Sequence, residues 1–180
     1  GIFAEMSMFS GAAIIIGQLG DKVLSGHAIA LNIASVVFML PLAIGLAGST
    51  RIGNLIGENR FTDAKFSSYT GVTLCFIGAL INMTMLLLFR DKFASVYSGD
   101  LEVLGVAVSL LFYAAIFQIP DGIGMGSLGA LRGYKDTFAP MVFLIISYWI
   151  FAIPFGYFLT NYGLTNPLGA EGMWISMILG

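Results

Sequence analysis

The chain has 180 residues, 58% of them hydrophobic and 10% charged, with a net charge of −2 and a mean hydropathy of +0.92. Soluble domains are about 25% charged, so this composition does not fit one. Without a basic field or a basic patch interleaved with aromatics, nucleic acid is not an expected partner. The single cysteine, Cys75, rules out an internal disulfide or a paired-cysteine metal site and reads as a small core residue.

A bilayer core of about 30 Å takes about 20 apolar residues in a helix, and the charges divide the chain into runs of that size. The first, Ile2 to Leu19, is interrupted only by Glu5. The second, Ala28 to Gly48, and the third, Ser67 to Phe89, are uncharged. The fourth, Val103 to Leu131, contains Asp121 alone; the fifth, Phe138 to Leu159, is uncharged, and a sixth opens at Gly172. No segment sustains the two-residue alternation of a β-barrel. The pattern predicts an all-α polytopic membrane protein. No basic leader with a small-residue cleavage pattern is visible. Apolar sequence begins straight after Gly1, and the closing GMWISMILG stops mid-run. Both ends read as cut, so a piece of a larger protein is expected.

The links after runs two and four hold Arg51, Arg60, Lys65, Arg132 and Lys135, against Lys22, Arg90 and Lys92 after runs one and three. That excess places the first set on the cytoplasmic side and puts Gln18 to Ser25, Arg90 to Glu102 and Asn161 to Ala170 outside. The link RIGNLIGENRFTDAK reads as a short interfacial helix with a solvated charged face. Pro41, Pro120 and Pro154 fall inside spans, where each removes a backbone donor and invites a kink.

Glu5 and Asp121 are the two acids well inside apolar runs. An acid at a helix centre costs about 2.5–3.5 kcal/mol on insertion scales, unless it pairs, protonates or faces a wet cavity. At about 1.5 Å per residue, Glu5 lies about 20 Å from Gln18, and Asp121 lies about 25 Å from Leu104. Both reach a similar depth, slightly to the cytoplasmic side of the middle. Two neighbouring carboxyls in low dielectric raise each other's pKa, which suits proton uptake or Na⁺ held by hard oxygens. Pro120 frees a backbone carbonyl beside the pair, and Gly122, Gly124, Gly126 and Gly129 allow bending or close approach. His27 reads as an interfacial residue at the outer mouth of run two. Asn32 reads as a pathway residue or as an interhelical hydrogen bond.

Two stretches, GHAIALNIASVVFMLPLAIGLAGSTRIGNLIGE and FQIPDGIGMGSLGALRGYKDTFAP, resemble the multidrug and toxic compound extrusion (MATE) transporters, particularly the NorM-type branch. NPLGAEGMWI is similar to that family's link into its last helix. The resemblance covers essentially the whole chain and implies helices seven to twelve of a twelve-helix protein, the last incomplete. Residues 1–180 would then form a six-helix C-terminal lobe, with the N-terminal lobe absent. It also implies export of small cationic or aromatic drugs in exchange for Na⁺ or H⁺, in the inner membrane of a bacterium, with no cofactor beyond the coupling ion. In such members a helix-seven glutamate and a helix-ten aspartate hold the cation. Glu5 and Asp121 match them, so Na⁺ is the expected ion. Phe117 stands where relatives often carry tyrosine, and Ala28 where many carry glutamine. Asp100 matches an outer-loop position that contacts cationic drugs in some members, and Phe117 and Asn32 join it as expected substrate or pathway residues. The expected partners are membrane lipid, drugs and the missing N-terminal lobe.

Three other readings are weaker. A lipid-linked sugar flippase of the same superfamily would carry basic residues within its spans, and these have none. A cation channel would repeat polar pore-lining residues. An intramembrane hydrolase would need a catalytic context around its acids.

Overall fold

The computed structural model describes the backbone of residues 2–163 and 166–180 and the side chains of residues 7–163 and 166–180. Among the described residues every regular element is helical: α1 (Ile2–Gly17), α2 (Asp21–Gly57), α3 (Phe61–Tyr97), α4 (Leu101–Gly133), α5 (Phe138–Ile145), a π-helical stretch (Ile146–Ala152), α6 (Ile153–Asn161) and α7 (Ala170–Leu179). α2, α3, α4 and the continuous unit Phe138–Asn161 are long and apolar enough to cross a membrane, while α1 and α7 are shorter and apolar.

The charge-bounded runs underestimate the helices. α2 and α3 have 37 residues each, about 55 Å of helix against a hydrocarbon core of about 30 Å. RIGNLIG is therefore the end of α2, and RIGNLIGENRFTDAK forms no separate interfacial helix. Charge does not end a helix; a backbone turn does. Asn59, at φ 60°, reverses the chain while Arg60 N–H donates to Leu55 O and Asn59 N–H to Ile56 O, the six-to-one and five-to-two bonds of a Schellman cap. The same cap closes α4. Lys135 sits at φ 63°, with Asp136 N–H on Leu131 O and Lys135 N–H on Arg132 O.

α2 and α4 run parallel. Lys22 pairs with Glu102 at one end, and Ile52 meets Gly133 at the other. α3 runs antiparallel to both, with Asn82 beside Val37 and Gln118 and Ser68 near Tyr134. Small residues set these distances, because lipid supplies no hydrophobic drive between helices and close backbone packing must replace it. A Cβ on Gly129 would stand 2.4 Å from Gly45 O. Gly122 and Gly126 press α4 in the same way onto Ala79, Cys75 and Val72 of α3. Gly124 faces open space and has no such role.

α2 and α4 continue through Pro41 and Pro120. Pro41 cannot donate to the carbonyl of Val37. Asn82, itself buried, donates its amide to that oxygen across the helix interface at 2.7 Å. Ahead of Pro154 the backbone adjusts differently: the stretch Ile146–Ala152 widens into a π-helix, and the Ser176 hydroxyl of α7 donates to Ala152 O at 2.6 Å.

Candidate functional site

Asp121 lies one helical turn after Phe117 in α4 and is half-buried. It borders two cavities. One, of about 60 Å³, is lined by Phe9, Phe38, Phe117, Gln118 and Trp174 among others, and has room for a few waters or a partly hydrated ion. The other, of about 280 Å³, opens between α4 and the unit α5–α6, past Pro120, Met125, Phe143, Tyr148 and Met177. Its walls are chiefly apolar and aromatic, with one carboxylate at the junction. Such a surface receives flat apolar molecules and orients those that carry positive charge.

Glu5 lies outside the residues whose side chains are described, but the helix register around it is defined. The rings of Phe9 and Phe117 meet edge to face at 6.4 Å. α1 turns back into α2 through Gln18, Leu19 and Gly20, so it runs antiparallel to α4. One turn from Phe9 toward the chain start is position 5, and one turn from Phe117 toward the chain end is Asp121. Both steps go the same way along the bundle.

Phe117 is buried, and its missing hydroxyl is replaced by ring packing against Phe9 and, at 6.3 Å, Trp174. Asn32 is exposed rather than buried and accepts a hydrogen bond from the Tyr97 hydroxyl of α3 at 2.8 Å. Of its two readings, the structure contains the interhelical bond. Asp100 is far from Asp121 along α4. It caps α4 by accepting from Glu102 N–H at 2.9 Å and lies 4.0 Å from Lys22. The structure thus brings Phe117 to Asp121 and leaves Asn32 and Asp100 toward the Lys22 end.

His27 is not interfacial. It is 1% exposed, and its Nδ1 accepts from the indole N–H of Trp174 at 3.2 Å. An indole nitrogen only donates, so the proton belongs on Nε2, which has no partner among the described residues. Through Trp174, His27 is connected ring to ring with Phe117 and Phe9. A second cluster also escapes the sequence reading. Glu171, in the first turn of α7, accepts from the Ser109 and Tyr113 hydroxyls of α4, the latter at 3.0 Å. A carboxylate at a helix start is favoured by the helix dipole, and two donors fix it there. The signal was present: Ser109 and Tyr113 stand four apart on one face of an apolar helix.

The family model described as MatE matches residues 1–158. The multidrug resistance protein PmpM of Pseudomonas aeruginosa is 38% identical over 183 residues, covering 99% of this chain and 38% of that protein. The multidrug resistance protein NorM of Photobacterium profundum is 37% identical, covering 99% and 40%. The crystal structure of the eukaryotic MATE transporter AtDTX14 superposes with a TM-score of 0.83 at 21% identity, over 94% of this chain and 38% of that one; this likeness speaks for the fold. The chain spans about two fifths of the length of the curated relatives it matches. By its sequence and its helical architecture together, the chain belongs to the MatE family.

Proposed function

We propose that these residues form the C-terminal lobe of a multidrug exporter in a bacterial inner membrane, which works by cation-coupled antiport. The single observation carrying this reading is the Phe9–Phe117 contact. From it the helix register steps in one direction to position 5 and to Asp121, and Asp121 borders an aromatic cavity. Two carboxylates at one level form a hard-oxygen site for Na⁺, the preferred ion, or for a shared proton. Pro120, which cannot donate to the Ile116 carbonyl, adds a further oxygen to the neighbourhood. The names of the relatives support drugs as cargo, and the apolar walls around Asp121 suit cationic and aromatic ones. Cation binding neutralises the acids and favours one arrangement of α1 and α4; drug binding favours the other. An N-terminal lobe would complete the cavity.

The test is efflux from vesicles holding the intact protein, with Na⁺ and pH gradients imposed separately. Asp121→Asn keeps the volume, removes the charge and lightens the insertion cost. It is expected to insert normally and to lose cation-driven efflux. Wild-type transport by that variant rejects the assignment.

A further inference from the structure

We infer that the groove between α2 and α3, at the end that carries Arg51, is a binding site for one anionic phospholipid. Its volume is about 470 Å³, and its walls are Ile44, Ala47, Gly48, Gly71 and Leu74, with Arg51 and Ser67 at one end. Gly48 and Gly71 have nothing within 4 Å of where a Cβ would stand, so small residues leave the floor open. Thr70 turns its hydroxyl back onto Phe66 O, which makes its face of the groove apolar too.

Arg51 gives the groove its polarity. Among the described residues it makes one hydrogen bond, from Nε to the Ser67 hydroxyl at 3.1 Å, and no ion pair. Ser67 is buried, so the bond fixes the guanidinium by its inner edge. Both terminal nitrogens remain for a ligand, in the fork geometry that fits two oxygens of a phosphate. Arg60, near the same end of the bundle, contrasts with it. Asp63 and Glu58 hold its guanidinium, and that charge is already answered. A fixed, unanswered cation at the head of an apolar trough matches an amphiphile whose head carries net negative charge and whose tail is a hydrocarbon chain. Uncompensated basic residues at a membrane face recruit such lipids. The position in the helix also fits: Arg51 comes three residues, about 4.5 Å, after the end of the uncharged run Ala28 to Gly48, where a headgroup would begin.

Native mass spectrometry of the intact protein, equilibrated with equal phosphatidylglycerol and phosphatidylcholine, tests the site. Wild type is expected to keep one phosphatidylglycerol that phosphatidylcholine does not replace. Arg51→Gln should lower its occupancy roughly tenfold, the scale of a lost charge-assisted bond. Should that variant fold poorly, Gly71→Leu leaves the charge in place and fills the floor, and it is expected to lose the lipid equally. Equal retention by wild type and Gly71→Leu overturns the site, as does indifference between the two lipids. Displacement by millimolar inorganic phosphate overturns it as well, because the tail would then contribute nothing.

Discussion

Replacing Asn82 with leucine preserves bulk but withdraws the donor that meets the Val37 carbonyl. Pro41 cannot supply another, and lipid offers none, so the oxygen would be left buried and unmet. The variant should lose about 1–2 kcal/mol, read as a lower melting midpoint in detergent, with drug transport reduced only through the amount of folded protein. This pairing shows what the sequence withholds at residue scale. Pro41 announces an orphaned carbonyl, yet nothing near it says that the answering amide lies 45 positions away. His27 with Trp174, and Glu171 with Ser109 and Tyr113, are hidden for the same reason. Each is polar chemistry assembled between α7 and a distant helix.

Helix identity was easier to read than helix ends. Uncharged runs of about 20 residues mark α2 and α3, and a longer one broken only by Asp121 marks α4, because a bilayer imposes at least that length. The ends of α2 and α4 obey turn chemistry instead: Asn59 and Lys135 accept a left-handed backbone, and these two helices carry their charges past the apolar run until such a residue appears. The GENR and GYKD segments close α2 and α4 in one geometry, a likeness that their side chains hardly betray. Packing between elements depends on smallness. Gly129→Ala places a methyl 2.4 Å from Gly45 O and should cost about 1–3 kcal/mol as α2 and α4 separate. Gly124→Ala, facing open space, should change stability by less than about 0.5 kcal/mol. Thermal melts of the two variants check the contrast.

At the level of the whole lobe, the antiport proposed above would make cation and drug rivals for one conformational equilibrium, through a carboxylate beside aromatic walls. A coupling of about 1–3 kcal/mol corresponds to roughly 5- to 150-fold in affinity. Raising Na⁺ should therefore weaken binding of a fluorescent cationic drug within that span, and Asp121→Asn should abolish the dependence; equilibrium titrations at several Na⁺ concentrations measure both. Of this arrangement Asp121, inside an apolar helix, was legible in the sequence, while Glu5 lies outside the described side chains. The aromatic cavity was not, since its walls come from α1, α2, α4 and α7 together. The contact of Gly45 with Gly129 has a mechanical consequence. Two stiff rods touch there with almost nothing between their backbones, and the point behaves as a fulcrum. Gly45 lies about 36 Å from the start of α2 and about 18 Å from its end, so a 10° swing about that point would carry the two tips by roughly 6 Å and roughly 3 Å. Under the proposed antiport, a minor rearrangement around a bound cation would thereby be magnified at both faces of the membrane.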